Sequence, residues 1–320
     1  MDNSDTINIL CATDENYAPY CGIMLTSLFE SNRDCRFVVY VFTDVDFSET
    51  NKKKYNKLGK KYGNIIHLMK FDNAMIEKFP ITSGRITRPT YYRLLATELL
   101  PKSVHKVIYL DCDLVVVGDI KPLWNVNFEG KAIAGVSECY KPDSHCDRLE
   151  YSVSFDYFNA GVLVMNLEYW KENDVFELMC RYSIQNVSKL KHKDQDVLNG
   201  TLFDKKQLLP ARYNFVVYIL TLMAWESYSE EEREYYLDEC SKIVVVHYAG
   251  IEKPWNYRSY GGPFFSEWEK YRRKSLWRGC RNTKPFLKHV KHLTKRYVFP
   301  NLFRKQRLGW VVVAETKNFY

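Results

Sequence analysis

Two carboxylates one residue apart, in Tyr109-Leu110-Asp111-Cys112-Asp113, close the apolar run Val107-Ile108-Tyr109-Leu110. In an extended strand residues i and i+2 face the same side, about 7 Å apart, and a bend at the strand end brings them closer. Two carboxylates so placed can share one hard cation, Mg²⁺ or Mn²⁺, and a cation there can neutralise a diphosphate. The same tripeptide also suits a solvated strand terminus, so its surroundings must decide. Val244-Val245-Val246-His247 ends another apolar run in a histidine, and Lys253-Pro254-Trp255 follows within a few residues. That histidine can complete a metal site or be an ordinary structural residue, and Lys253 sets a cation near it. Phe158-Asn159-Ala160-Gly161 opens a third apolar run through small residues, which let backbone approach a ligand closely or simply begin a strand. Asp194-Gln195-Asp196-Val197-Leu198-Asn199 offers polar side chains ahead of a helix-like run, with Asp194 suited to cap its N-terminus.

Elements that bring strand ends together are needed to unite these residues. Ile7 to Ala12 reads as a strand that ends in the polar turn Thr13-Asp14-Glu15-Asn16. A helix over Tyr20–Ser31, a buried strand over Arg36–Phe42, a Ser48-capped Lys-rich helix and a strand over Asn64–Leu68 follow. Thr90–Leu99 reads as helix and Val104–Leu110 as the strand that carries the two aspartates. Alternating strands and helices predict a parallel sheet with helices on both faces, its strands mostly continuous apolar runs. Ligands in such sheets gather beyond the strand C-termini, so Asp14 and Asp111/Asp113 are expected to share one cleft. Neither G-x-G-x-x-G nor G-x-x-x-x-G-K-[ST] occurs, so a bound nucleotide would be held by metal and side chains rather than by a glycine cradle.

With 320 residues, 46% of them hydrophobic, the chain suits one large α/β domain or one domain plus an appendage, and global disorder is excluded. Met-Asp-Asn-Ser-Asp has neither the basic nor the apolar region of a secretory signal. The longest apolar run, Phe215 to Trp225, is interrupted by Thr221, is too short for a bilayer and reads as core. Nine cysteines, with no Cys-x-x-Cys pair, read as reduced core thiols of a cytosolic protein. The net charge of +7 conceals an asymmetry: residues 268–320 hold 15 Lys+Arg against two Glu, and the remainder is mildly acidic. Trp268, Tyr271, Trp277, Phe286, Tyr297, Phe299, Phe303 and Trp310 lie among those cations. Attachment to an anionic membrane surface is the favoured reading, ahead of a helical pair packed on the body, with nucleic-acid binding last.

Six segments, taken in order, resemble the retaining family 8 glycosyltransferases, most closely the bacterial galactosyl- and glucosyltransferases that build surface glycans. They are Ala12-Thr13-Asp14-Glu15-Asn16-Tyr17, Thr90-Tyr91-Tyr92-Arg93-Leu94, Tyr109-Leu110-Asp111-Cys112-Asp113, Phe158-Asn159-Ala160-Gly161-Val162, Asp194-Gln195-Asp196-Val197-Leu198-Asn199, and His247-Tyr248-x-Gly250-x-x-Lys253-Pro254-Trp255. The resemblance implies an α/β, A-type glycosyltransferase (GT-A) fold with a single Rossmann-like, mostly parallel sheet. Residues 1–267 would be the catalytic domain and 268–320 the basic, aromatic C-terminal extension. It implies a UDP-galactose or UDP-glucose donor, with galactose favoured, and a glycan acceptor that is lipid-linked or on a protein. Asp111, Asp113 and His247 would bind Mn²⁺, or Mg²⁺, and Lys253 would add a second positive charge at the leaving diphosphate. Asp14 and Asn16 would contact uridine and Tyr17 would stack on uracil. Arg93 would bind the sugar or diphosphate region, while Asn159, Ala160, Asp194 and Gln195 would line the sugar pocket. Ala12, Cys112 and Gly250 complete the expected donor-binding set.

Gln195, with Asp194 and Lys253, forms the expected catalytic group. The resemblance places an amide, a poor nucleophile, where a covalent mechanism needs a carboxylate. A front-face transfer with retention is therefore expected, in which the departing phosphate accepts the acceptor's proton. Acceptor contacts are expected from the loops Phe71–Arg88 and Glu138–Tyr157. The implied location is cytoplasmic, peripheral at the inner membrane face. A non-catalytic UDP-sugar-binding scaffold and a self-glycosylating protein remain as alternatives. A nucleotidyltransferase fits less well, since Thr13-Asp14-Glu15-Asn16 is acidic where a basic triphosphate loop belongs.

Overall fold

The computed structural model describes residues 6–43, 46–80, 88–139, 142–250, 253–256 and 262–280. Among these, the strands are β1 (Thr6–Ala12), β2 (Arg36–Thr43), β3 (Ile65–Lys70), β4 (Lys106–Leu110), β5 (Leu114–Val116), β6 (Ile133–Ser137), β7 (Phe158–Asn166), β8 (Lys206–Leu209), β9 (Phe215–Val216) and β10 (Val245–His247). Seven form one sheet in the order β3-β2-β1-β4-β7-β6-β8, and β5-β10-β9 form a second, smaller sheet. The sequence reading foresaw one sheet; the strand that ends in His247 belongs to the second.

β1 and β2 are apolar on both faces and buried on both, as expected of parallel strands under helices. β3 departs from this: it is an edge strand, and its residues are half-exposed to exposed. Helix α1 (Ala18–Ser31) is buried nearly all round, because it packs against both β5 of the second sheet and the helix Phe265–Lys274. Gly22 permits that packing, since a Cβ there would sit 2.2 Å from the Trp277 ring. Helix α2 (Glu49–Tyr62) starts as expected, with Ser48 Oγ accepting from Asn51 N–H at 3.2 Å. The expected helix over Thr90–Leu99 is instead a 3₁₀ segment, Arg88–Leu95, followed by one α turn, Ala96–Leu99.

The sheet is mostly parallel, as expected, and β7 is the exception: it runs antiparallel to both β4 and β6. The chain leaves β6 at Ser137 and returns at Phe158, which pairs with Ser137. The start of β7 therefore lies at the sheet edge where β1 and β4 end. A register shift follows: Gly135 faces Leu163 while Val136 faces Asn159. This bulge leaves Ala160, Gly161 and Val162 without partners on β6, at the strand end that meets the cleft.

Two apolar layers enclose the sheet, one with α1 and the second sheet, the other with Tyr91, Tyr92 and Trp170. The run from Phe215 reads correctly as core: Phe215, Val216, Val217, Ile219 and Leu220 are buried. All nine cysteines are free and eight are buried. No helix among the described residues is long and apolar enough to cross a membrane. Helix Phe265–Lys274 runs across the expected boundary at 267, and Trp268, Tyr271 and Trp277 are buried in the α1-side layer. Its cations are also engaged, with Lys270 on Glu267, Arg272 and Arg273 on Glu269, and Lys274 on Glu30. These residues are part of the body. The rest of the basic extension, 281–320, lies outside the described residues, as do Ile81–Thr87 of the first expected acceptor loop.

Candidate active site

β4 ends at Leu110, and after three intervening residues β5 begins at Leu114 in the other sheet. Asp111 and Asp113 sit in this crossing. The backbone is pinned at both points: Asp111 N–H donates to Gly161 O at 2.9 Å, and Asp113 O accepts from Tyr248 N–H at 2.9 Å. β5 pairs antiparallel with β10, in a register that sets His247 opposite Leu114 and so beside Asp113. One ligand atom each from Asp111, Asp113 and His247 lies within 4.8 Å of the others. Gly161 makes the arrangement sterically feasible, since a Cβ there would lie 2.2 Å from the His247 ring. The small residue thus makes room for an imidazole rather than for a ligand's approach to the backbone.

The donor set suits a divalent cation of Mn²⁺ type, two carboxylates and one imidazole. Each ligand is oriented by its neighbours. Asp111 Oδ1 accepts from Tyr109 OH at 2.8 Å and Arg93 Nη2 at 2.9 Å. His247 Nδ1 lies 2.8 Å from Asn214 Oδ1, and His247 Nε2 lies 3.2 Å from Asp113 Oδ1. Lys253 Nζ contacts the other oxygen of Asp113 and donates to Tyr248 O at 2.7 Å. Burial alone would raise the Asp113 pKa; Lys253 and His247 reverse that and hold it well below the usual carboxylate range.

Beside this cluster lies a cleft of about 200 Å³ lined by Ala12, Thr13, Asp14, Tyr17, Thr90, Arg93, Tyr109, Asp111, Cys112, Asp113 and Lys253. The expectation that the β1 turn and the paired aspartates share one cleft holds. Asp14 Oδ1 accepts from Tyr17 N–H at 2.8 Å and so shapes the turn that leads into α1. Tyr17 stands 40% exposed, edge-on to Trp255. Asn16 and Gly250 are exposed and are not among the lining residues.

Beyond Arg93 lie the residues assigned to the sugar pocket. Arg93 is 4% exposed, stacks 4.2 Å above Tyr109, and bonds to Ala160 O. Its guanidinium is shared between Asp111 and, at 2.9 Å, Asp194. Burial opposes its charge, but the two carboxylates outweigh burial and raise its pKa. Asp194 is pushed up to about 6 by burial, against the pull of Arg93. The guanidinium divides its charge between two anions, and so leaves the more deeply buried one incompletely compensated. Asp194 does not cap its helix, Asp194–Leu202: the N-cap is Lys193, held at a positive φ of 56°. Gln195 Oε1 accepts from Ala160 N–H at 2.9 Å. Asp196 points elsewhere, into a bidentate pair with Arg148.

Thr13, Thr90 and Tyr109 line the cleft without having been assigned a role. Their neighbours in the same short motifs were the available signal. Glu138 and Asn214, which bond to Asn159 at 3.0 and 2.9 Å, had no such signal, because the excursion after β6 and the second sheet bring them in.

A family model, Glycosyl transferase family 8, matches residues 8–259. A lipopolysaccharide 1,2-glucosyltransferase of Escherichia coli is 28% identical over 98% of this chain and 91% of its own length. A lipopolysaccharide 1,3-galactosyltransferase of Salmonella typhimurium is 26% identical over 93% and 87%. The crystal structure of the galactosyltransferase LgtC with donor and acceptor sugar analogues superposes with a TM-score of 0.73, at 24% identity, over 85% of this chain and 99% of LgtC. The fold is GT-A, and the match extends through every segment that builds the cleft. The chain belongs to glycosyl transferase family 8.

Proposed function

We propose that this glycosyltransferase is a metal-dependent, retaining hexosyltransferase that moves galactose or glucose from a UDP-sugar to a hydroxyl of a surface glycan, such as lipopolysaccharide. The observation that carries the reading is the cluster of Asp111, Asp113 and His247, with ligand atoms within 4.8 Å, whose two aspartates line one cleft with Asp14, Tyr17, Arg93 and Lys253. Those three residues would hold Mn²⁺, or Mg²⁺, and the bound cation supplies Lewis-acid stabilisation of a leaving diphosphate. Lys253 adds a second positive charge from the same side. Asp14, Asn16 and Tyr17 would take the nucleoside, with the exposed Tyr17 ring offered to the base. Arg93, neutralised by two carboxylates, fixes the cleft wall rather than supplying a free cation. Gln195 accepts from Ala160 N–H and donates to Glu138, so it presents an amide, which supports front-face transfer over a covalent intermediate. The relatives named for glucosyl and galactosyl transfer to lipopolysaccharide support the substrate class.

The reading extends to residues 281–320, whose ten Lys+Arg against one Glu would hold the enzyme on the anionic inner face of a membrane. The test of the chemistry is Mn²⁺-dependent release of UDP from UDP-galactose and UDP-glucose, with the product anomer assigned by NMR. Transfer with inversion, or no release with any acceptor glycan, would defeat it. Mass gain on the enzyme itself would favour self-glycosylation, and binding without turnover would favour a scaffold.

A further inference from the structure

Glu138 anchors a chain of side-chain amides that connects the two ends of the site. Its Oε2 accepts from Asn159 Nδ2 at 3.0 Å and from Gln195 Nε2 at 3.3 Å, and its Oε1 accepts from Cys139 N–H at 3.0 Å. Asn159 Oδ1 in turn accepts from Gly161 N–H at 2.9 Å and from Asn214 Nδ2 at 2.9 Å. Asn214 Oδ1 then faces His247 Nδ1 at 2.8 Å. Asn159, Asn214 and His247 are all buried.

The direction of this chain is determined. A carboxylate only accepts, and a backbone N–H only donates. Both amides that meet Glu138 must therefore turn their NH₂ groups to it, which agrees with Gly161 N–H and Ala160 N–H bonding to their carbonyl oxygens. Asn214 must donate to Asn159 Oδ1, so its own oxygen faces His247. His247 Nδ1 must then carry the proton, which leaves a lone pair on Nε2. A second demand competes. Nε2 lies 3.2 Å from Asp113 Oδ1, where a proton on Nε2 would be welcome. A neutral imidazole cannot satisfy both.

We infer that Glu138 is a positioning residue: it fixes the direction of the Asn159–Asn214 hydrogen-bond chain and thereby holds His247 in the tautomer whose Nε2 can ligate a metal, while orienting the Gln195 amide at the other end of the site. The consequence for metal rests on the role proposed for His247; the tautomer does not. Substituting Glu138→Gln puts one NH₂ where an oxygen was. In one orientation it opposes Cys139 N–H, and in the other it opposes two amide NH₂ groups. Turning Asn159 and Asn214 over relieves the Asn159 part of the second conflict, at the cost of the Gly161 bond, and moves the His247 proton to Nε2.

The experiment uses the full chain with ¹⁵N-labelled histidine, free of metal and at a pH where imidazole is neutral. Long-range ¹H–¹⁵N correlation reads the tautomer, and Mn²⁺ titration followed by EPR reads affinity. Wild type is expected as the Nδ1–H form. E138Q is expected to gain the Nε2–H form and to lose about 10-fold in Mn²⁺ affinity, as disruption behind a metal ligand does. E138D, which keeps the carboxylate, should recover most of both. If E138Q fails to fold, Asn159→Ala interrupts the same chain without touching the metal ligands and should shift the tautomer likewise. An unchanged His247 tautomer with Mn²⁺ affinity within twofold of wild type, in whichever variant folds, would overturn the inference. Wild type that binds no Mn²⁺ would sink the metal reading instead, and the tautomer comparison would still decide the role of Glu138.

Discussion

Two carboxylates, Asp113 in the cleft and Asp194 behind Arg93, are buried in opposite electrostatic circumstances. At the proposed metal end Asp113 has Lys253 and His247 against it and is held well below the usual carboxylate range. At the proposed sugar end Asp194 shares one guanidinium with Asp111 and is pushed up to about 6 by burial. Both are paired, so the pairing alone does not separate them. The difference is in the ratio: Asp113 has two nitrogen partners to itself, whereas Asp194 shares one cation with Asp111. The metal end keeps an anion ready to receive positive charge, whereas the sugar end uses its charges on one another and becomes a rigid wall. Loss of the Asp113 charge should therefore cost rate above all, whereas loss of the shared Arg93 guanidinium should cost stability first.

The largest expected effect tests the first half of that contrast. Asp113→Asn keeps the shape and removes the charge, and should lower transfer by on the order of 10³-fold, a scale set by the loss of a preorganised electrostatic group. Some stability should be lost as well, because the charge of Asp113 is stabilised by Lys253 and His247 above about pH 4, but the fall in rate should be the dominant effect. UDP release and a thermal melt on the same preparation read both. Near-normal turnover would return Asp113 to a structural role and remove the contrast. At the opposite end, Arg93→Met leaves Asp111 and Asp194 without their shared cation. Breaking such a buried pair costs about 3–5 kcal/mol, which urea unfolding would show. A loss under about 1 kcal/mol would mean that Arg93 is held for binding and not for the fold.

A pH experiment separates the two aspartates further. The folded-state pKa of Asp194, about 6, lies above the ordinary carboxylate value near 3.9. The fold thus favours its protonated form, and through this group stability rises as pH falls from about 6 to about 4. Asp113 has the opposite sign: its contribution is present above about pH 4 and is lost as pH falls below that. Asp194→Asn should accordingly equal or exceed wild type in stability at pH 8, by on the order of 1–3 kcal/mol, and the gap should close by pH 4. Transfer should still fall, since the amide no longer balances Arg93. A variant less stable than wild type at pH 8 would show that the Arg93 pair outweighs burial.

The parts of this geometry visible in the sequence are those built by local patterns. Apolar runs marked β1, β2, β4 and β7, and short motifs marked Asp14, Arg93, Asp111, Asp113, Gln195, His247 and Lys253. The parts that escaped depend on contacts distant in the chain. The reversal of β7 has no local signature, because an antiparallel strand buried on both faces is as apolar as a parallel one. The placement of His247 in a second sheet follows from β5–β10 pairing across about 130 residues. Asn214 and Glu138 look like ordinary loop residues until that pairing and the β6–β7 excursion bring them together. Trp268, Tyr271 and Trp277 read as interfacial aromatics because their cationic neighbours are conspicuous, but those cations have acidic partners as far away as Glu30.

This last point sets the smallest expected effect. Since the body incorporates the chain through Cys280, a protein truncated after Arg281 retains Trp277 over Gly22, and retains Trp277 Nε1–H on Asn51 at 2.8 Å. Asn51 is bonded to Glu15 in the β1 turn at 2.8 Å, so these contacts support the Asp14–Tyr17 side of the cleft. Both ends should therefore survive the truncation, with Mn²⁺-dependent donor hydrolysis within about twofold of the full chain, an energy difference under about 0.5 kcal/mol. Binding to anionic liposomes should be lost in the same protein. Cutting ten residues earlier, after Tyr271, removes Trp277 and should reduce hydrolysis severely. If both truncations lose hydrolysis, the site depends on the basic segment itself; if both retain it, Trp277 does not support the cleft.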